Sequence, residues 1–191
     1  MRLIDAKTLR IREFPSEDAY PAYAILSHTW GPAEQECTLQ SMTEPDISSR
    51  IGYTKIKHCC DQALKDGLFW AWVDTCCIDK TSTAELSEAI NSMFRWYKKA
   101  SICYAYIEDA NTVEDLEKSR WITRGWTLQE LVAPHDVAFF SKSWDLLGRK
   151  LELKDVLWHI TGIESAVLES GTLSNVTVAK KMVGDSRISY L

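Results

Sequence analysis

The sequence predicts an α/β protein built on a doubly wound, mainly parallel sheet, because short and wholly apolar runs alternate with amphipathic helical segments. Strands that are apolar on both faces are typical of parallel sheets covered by helices on each side. The predicted buried strands are Ala22–Leu26, Leu68–Val73, Ile102–Ile107 and Val137–Phe140. Ligands of such sheets bind beyond the carboxyl ends of the strands, so the polar residues that follow each run are the first candidates for a site.

The intervals between these strands carry apolar residues at helical spacing, which predicts amphipathic helices. The clearest of them follows Ser82–Glu85, a segment that fits an N-terminal capping box. The predicted helices are Ile51–Leu64, Leu86–Tyr97, Gly125–Val132 and Leu151–Ile160. Two short strands around a polar turn, Arg2–Ile4 and Leu9–Ile11, predict a short N-terminal β-hairpin.

Charge and hydropathy exclude several classes of protein. The chain has 191 residues, and its 22 Lys and Arg against 27 Asp and Glu give a net charge of -5, which disfavours a general nucleic-acid binder. No apolar run reaches the ~18–20 residues of a membrane span, and the N-terminus lacks the apolar core of a signal peptide. We therefore expect a soluble, cytoplasmic protein with no nucleic-acid partner and no membrane span.

The cysteines indicate structural thiols rather than disulfides or a metal site. Six occur, some of them adjacent in sequence, and no secretory signal accompanies them. Their spacing lacks the C-x-x-C and H-x-x-x-H patterns typical of zinc sites, so no bound metal is expected. Free cysteines in apolar segments behave as small hydrophobic residues, which predicts that these side chains lie in the core.

Three ordered motifs carry a resemblance to a known family. Tyr23–Gly31 resembles the opening motif of the fungal heterokaryon-incompatibility (HET) domain, and Trp72–Lys80, continued by Glu85–Met93, resembles its second motif. The segment Ser119–Leu131 resembles the third. On these motifs residues 1–182 are identified as a HET domain, whereas residues 183–191 depart from the family pattern and form a short divergent or truncated tail. The resemblance implies a cell-death effector of fungal non-self recognition, triggered by an NLR-like receptor or another upstream sensor.

A more distant resemblance links the chain to TIR domains, which share the doubly wound plan. It implies a TIR- or flavodoxin-like sheet to which the N-terminal hairpin and HET-specific insertions are added. TIR domains that degrade NAD carry a glutamate in a Trp-Cys-x-x-Glu-Leu-like segment, and Trp126–Leu131 has the same spacing from Trp to Glu. The resemblance implies that Glu130 is the catalytic carboxylate of an NAD glycohydrolase. It also implies that NAD or a related nucleotide is a substrate rather than a cofactor, and that the active form is a homo-oligomer.

The chemistry of this reaction suits a carboxylate beside an aromatic ring. Cleavage of the nicotinamide–ribose bond develops positive charge on the ribose, which a carboxylate stabilises. On a helix, Trp126 and Glu130 share one side, so the indole is expected to flank a substrate ring while Glu130 acts as an acid or as a charge stabiliser. The alternative is structural: a salt bridge from Glu130 to Arg124 or Arg120, with Trp126 in the core.

Residues after the first buried strand are candidates for substrate binding. Ser27 and Gly31 fit a tight turn whose N–H groups face an anion, and Trp30 is expected to line a pocket. His28 is placed to donate to a phosphate or ribose, or to transfer a proton near neutral pH. A loop histidine bonded to the backbone is the alternative.

Two further candidates follow the second buried strand. Asp74 is expected to bind a ribose hydroxyl, or else to cap the turn that follows it. Lys80 is expected to neutralise a phosphate, or else to lie in solvent.

Other classes of function remain open at this stage. The 8 Trp and 7 Tyr suit a non-enzymatic signalling or oligomerisation module that recruits a separate death effector, with the acidic stretch Glu108–Glu117 as one contact surface. A thiol hydrolase that pairs Cys76 or Cys77 with His28 lacks a basic environment that would lower the thiol pKa. A nucleotide-binding switch lacks both a P-loop and a G-x-G-x-x-G motif.

Overall fold

The computed structural model describes residues 1–170 and groups the chain into two compact units. The first comprises Met1–Leu26 and Trp30–Trp96, and the second comprises Ser27–Thr29 and the chain from Tyr97 onward. The expected boundary between residues 182 and 183 lies outside the described residues.

The first unit is built on an N-terminal hairpin and two further strands. These are β1 (Arg2–Asp5), β2 (Ile11–Glu13), β3 (Ala24–His28) and β4 (Trp70–Trp72). Their order is β2-β1-β4-β3, with β1 antiparallel to both β2 and β4, and with β3 parallel to β4 in the register Ala24 opposite Ala71. The helices are α1 (Ile51–Lys65), the single turn α2 (Asp74–Cys77) and α3 (Thr83–Lys99), which belongs to this unit as far as Trp96.

The second unit contains the last two residues of β3 and the remaining elements. Its further strands are β5 (Ile102–Tyr106), β6 (Val137–Phe140) and β7 (Leu146–Arg149), and its helices are α4 (Thr127–Val132), α5 (Lys154–Thr161) and α6 (Ser165–Ser170). Strands β5 and β6 are parallel, whereas β7 returns antiparallel to β6. The return is tight: the Ser141 N–H donates to the Asp145 carbonyl at 2.9 Å, and Trp144 adopts a positive φ of 64°.

The α/β fold and the N-terminal hairpin are confirmed, and each predicted buried strand is present within one or two residues of its expected bounds. The expected mainly parallel sheet is not confirmed, because antiparallel pairs occur on both sides of β1 and again at β7. The first buried strand also extends further than predicted: Ser27 and His28 belong to β3, not to the loop after it. Their side chains are therefore fixed by strand geometry and buried.

Each unit has its own apolar core. In the first, Trp72 packs against Trp96 with ring centroids 5.6 Å apart, and the buried Tyr23 hydroxyl donates to the Trp96 carbonyl at 2.6 Å. In the second, Tyr104 packs edge-on against Phe140 at 5.7 Å. All six cysteines are free and buried, as the sequence predicts. Among the described residues, the helices are too short or too polar to cross a membrane.

Candidate functional site

A buried carboxylate is the centre of the candidate site in the second unit. Glu130 is 3% exposed. Its Oε2 accepts a hydrogen bond of 2.5 Å from the Ser27 hydroxyl, and that hydroxyl oxygen accepts one of 2.7 Å from the Trp121 indole N–H. Arg124 Nη2 lies 3.5 Å from the other carboxylate oxygen, Oε1. The site thus combines an acid, a hydroxyl, an indole and a guanidinium.

Backbone contacts explain how these side chains meet. Glu130 lies in α4, and its N–H donates to the Trp126 carbonyl one turn earlier at 3.2 Å. The Thr127 hydroxyl at the start of that helix donates to the Trp121 carbonyl, which ties the helix to the preceding loop. Ser27 is presented by β3, whose five residues are all buried. Strand and helix therefore fix both ends of the hydrogen bond between Ser27 and Glu130.

Charge at the site is compensated by Arg124 from its half-buried position. Its Nη1 donates to the His28 carbonyl while its Nη2 faces Glu130, so one guanidinium bridges β3 and α4. The same carboxylate affects the Cys103 thiol on β5: burial raises the pKa of Cys103, and the negative charge of Glu130 raises it further. A carboxylate in such surroundings can accept hydrogen bonds from hydroxyl groups and stabilise a developing positive charge.

The structural alternative for Glu130 is half confirmed. The ion pair with Arg124 is present, whereas Arg120 instead pairs with Glu108 at 2.8 Å. Trp126 is not in the core, because 38% of its surface is exposed. An exposed indole therefore stands one helical turn before the buried acid.

His28 is held as part of the strand rather than as part of a loop. It is buried, and its backbone carbonyl accepts the hydrogen bond from Arg124. Its suggested roles toward a substrate stay predictions, as does the suggested anion contact of Ser27, whose hydroxyl is engaged by Glu130 and Trp121.

Three other candidates contact one another in the first unit. The exposed Trp30 donates its indole N–H to Asp74 Oδ2 at 2.8 Å, and Lys80 Nζ lies 3.6 Å from the centroid of the Trp30 ring. Burial lowers the pKa of Lys80, while the nearby carboxylates of Asp74 and Glu36 act in the opposite direction. Asp74 and Lys80 thus have internal partners, and neither is simply a solvated charge.

Gly31 belongs to the same part of the first unit, and its backbone is already engaged. The Gly31 N–H donates to Glu36 Oε1 at 2.6 Å, and the same oxygen accepts from Lys55 Nζ at 2.6 Å. An external anion would have to displace Glu36 to reach this amide. Both Glu36 and Lys55 are buried.

Trp121 and the Glu36–Lys55 pair belong to polar networks that were not predicted from the sequence. Trp121 reads as an ordinary core aromatic, and nothing in its neighbourhood predicts where its N–H points. Lys55 carried a usable signal, because it lies three residues after Gly52 and four before Cys59, on the buried side of α1.

The thiols give no support to cysteine chemistry. Hydrogen bonding to Cys77 and burial both raise the pKa of Cys76, so its thiol is not poised as a thiolate nucleophile. Within residues 1–170, no group of three or more His, Cys, Asp or Glu side chains is arranged to hold a metal ion.

The fold and these contacts define an α/β protein with a buried carboxylate held by donor side chains. Residues 23–114 match the family described as "Heterokaryon incompatibility protein (HET)". The chain is also 44% identical, over 197 aligned residues, to the "Vegetative incompatibility protein HET-E-1" of Podospora anserina. That alignment covers 95% of this chain but only 14% of the relative's length. No solved structure is significantly similar. The chain belongs to the HET family.

Proposed function

We propose that this chain is an effector domain of fungal non-self recognition, and that it causes cell death by cleaving NAD at the nicotinamide–ribose bond. Family membership and the likeness to a vegetative incompatibility protein support the effector role. The observation that carries the enzymatic part is the buried Glu130, held by Ser27 and Arg124, with the exposed Trp126 one turn earlier.

In the proposed reaction the bond between ribose C1′ and the nicotinamide nitrogen breaks, and its electron pair leaves with nicotinamide. Glu130 stabilises the positive charge that develops on the ribose ring. Water then adds to C1′ and loses a proton, which gives nicotinamide, ADP-ribose and one proton. Trp126 provides an apolar face for the departing ring.

The remaining candidates are proposed to contact nucleotide groups, each within its own unit. His28 and Ser27 belong to the second unit with Glu130, whereas Trp30, Gly31, Asp74 and Lys80 belong to the first. The mutual contacts of Trp30, Asp74 and Lys80 support a shared role for these three, with the ammonium suited to phosphate and the carboxylate to ribose hydroxyls.

Activation by assembly is part of the proposal. Because Glu130 is 3% exposed, a substrate can reach it only after the surrounding residues rearrange. Formation of a homo-oligomer, driven by an NLR-like receptor or another sensor, would supply that rearrangement in the cytoplasm. We also propose that the parallel strands of each unit follow a TIR-like topology.

The test measures nicotinamide release from NAD by the purified protein at low and high concentration and on an artificial clustering scaffold. Glu130→Gln is expected to lower turnover by at least about 100-fold, the typical effect of losing one electrostatic stabiliser of a transition state. Glu164→Gln, which alters an exposed carboxylate of the same unit, is the matched control and should retain full activity. A folded Glu130→Gln protein that retains turnover refutes the assignment, as does an inactive wild type under all three conditions.

A second candidate function is a non-enzymatic assembly module. It is favoured by large apolar side chains exposed in the second unit, above all Trp158 at 54%, together with Leu146 and Leu151. The acidic stretch proposed as a contact surface overlaps a short 3-10 helix, Val113–Lys118, which begins with a capping box between Thr112 and Asp115. Killing that survives Glu130→Gln but is lost on Trp158→Ala or on charge reversal in this stretch would favour the module.

A further inference from the structure

We propose that Trp121 and Ser27 are positioning residues that hold Glu130 as an ionised carboxylate in one orientation. Glu130 would then serve the reaction as an anion and not as a proton donor. This inference rests on the proposed function for its catalytic consequence, but its structural content can be measured without any turnover.

The direction of the hydrogen bonds carries the argument. An indole N–H can only donate, so the contact of 2.7 Å between Trp121 Nε1 and Ser27 Oγ makes the hydroxyl oxygen an acceptor. The hydroxyl has one proton, and it points to Glu130 Oε2 at 2.5 Å. An ionised carboxylate can only accept hydrogen bonds, so this direction of donation suits an ionised Glu130.

The reverse arrangement leaves a proton without a partner. If Glu130 were protonated on Oε2 and donated to Ser27, the hydroxyl oxygen would accept from both Glu130 and Trp121. Its own proton would then have no acceptor among the described residues, because Glu130 and Trp121 are the side-chain partners of this hydroxyl. A buried donor without an acceptor is costly. Protonation on Oε1 is disfavoured as well, since that oxygen faces the guanidinium of Arg124.

The hydrogen bonds from Trp121 to Ser27 and from Ser27 to Glu130 form a relay, and the indole that donates the first of them is held by its packing. The Trp121 ring is buried and meets Phe139 edge-on, with centroids 5.6 Å apart and an interplanar angle of 87°. Its carbonyl accepts the Thr127 hydroxyl at the start of the helix that carries Glu130. The same residue therefore fixes Ser27 through its side chain and α4 through its backbone.

The first test follows the indole N–H signal of Trp121 in a ¹H–¹⁵N spectrum, assigned by its loss in Trp121→Phe. Ser27→Ala and Glu130→Gln are both expected to shift this signal, because each changes the hydroxyl that accepts it. Ser141→Ala, which removes another buried serine of the same unit, should leave it in place. A signal that does not move in Glu130→Gln overturns the relay.

The second test concerns the charge of Glu130. The infrared difference spectrum between the wild type and Glu130→Gln at neutral pH is expected to contain the absorption band of an ionised carboxylate. A difference that instead contains the band of a protonated carboxyl group overturns the inference that Glu130 is held as an anion.

The third test separates positioning from folding by kinetics. Ser27→Ala and Trp121→Phe are expected to lower kcat by about 10- to 100-fold with little change in KM, since a small displacement of a catalytic group costs this much. Ser27→Thr restores the hydroxyl and should recover most of the loss. Glu164→Gln, which alters an exposed carboxylate of the same unit, should have no effect. Equal kcat in all variants overturns the positioning role. Both spectroscopic results without NAD cleavage would refute the proposed function while confirming the relay.

Discussion

The buried ion pair between Lys55 and Glu36 gives the sharpest prediction about stability. Lys55 Nζ lies 2.6 Å from Glu36 Oε1, and 5% and 10% of the two side chains are exposed. The same oxygen accepts the Gly31 N–H, and Glu36 Oε2 has no hydrogen-bond partner among the described residues. Lys55→Met keeps the apolar stem but leaves the carboxylate buried without its cation.

The expected cost follows from this geometry. Removal of one partner of a buried ion pair typically costs about 3–5 kcal/mol, because the remaining charge is desolvated and uncompensated. For a chain of this size, about 2–4 °C of melting temperature corresponds to each kcal/mol, so Lys55→Met should melt roughly 6–20 °C lower than the wild type. Such a loss is a large share of the ~5–15 kcal/mol by which a domain is stable.

Removal of both charges should be far less harmful. In Glu36→Leu with Lys55→Met neither charge is buried, and comparable replacements elsewhere are neutral or stabilising. We therefore expect the double variant to recover most of the stability that the single variant loses, even though it also gives up the Gly31 hydrogen bond.

The assay is urea unfolding followed by tryptophan fluorescence, with the melting temperature as a second readout. The control is Lys57→Met on the same helix, which breaks the exposed pair with Asp61, where 53% and 44% of the side chains are exposed. It should leave the unfolding midpoint unchanged, because exposed pairs contribute little. The reasoning is refuted if Lys55→Met unfolds like Lys57→Met, or if the double variant is less stable than Lys55→Met alone.

Three further predictions concern other buried groups. Gly52→Ala should lower the free energy of unfolding in urea by about 1–3 kcal/mol instead of giving the usual helical gain of about 1 kcal/mol. The added Cβ would lie 2.8 Å from the Cys37 amide nitrogen and 2.9 Å from Glu36 Cα, and an unchanged unfolding midpoint would contradict this prediction. Burial raises the pKa of Cys60 to about 12, so iodoacetamide at pH 8 should leave it unmodified in the folded protein and alkylate it after unfolding; mass spectrometry of the native sample decides. Burial lowers the pKa of Lys150, so just below pH 10.5 this side chain binds more protons in the unfolded chain than in the folded one. The free energy of unfolding should therefore rise with pH in that range, and Lys150→Met should flatten the rise. An equal slope in both proteins would contradict this prediction.

Most of the fold was predictable because it follows from apolar patterning. Continuous apolar runs located β3, β4, β5 and β6, and helical periodicity located α1, α3, α4 and α5. Strand β7 was not predicted because Leu146–Arg149 is short, half-exposed and interrupted by Gly148. It therefore has neither a continuous apolar run nor a regular alternation of apolar and polar residues. The single turn α2 is too short to show a helical period.

The candidate site was predictable only in part, for a different reason. The topological rule for strand ends led to Ser27, and the resemblance to TIR domains led to Glu130; the structure joins the two by a hydrogen bond. The links through Trp121 and Arg124 depend on side-chain directions across distant segments, which one sequence does not encode in any local pattern. The ends of the strand also mattered: Ser27 reaches Glu130 because β3 runs on through His28.

The assignment of Ser27–Thr29 to the second unit has a consequence for how the contact between Ser27 and Glu130 can be inherited. A gene fragment that begins at Tyr97 would encode Glu130 and Trp121 but not the serine to which both are hydrogen-bonded. Recombination that moves the carboxylate into another protein with its hydroxyl donor must therefore copy the intervening residues 30–96 as well. Shuffling of coding segments would then transmit residues 27–130 as one heritable block.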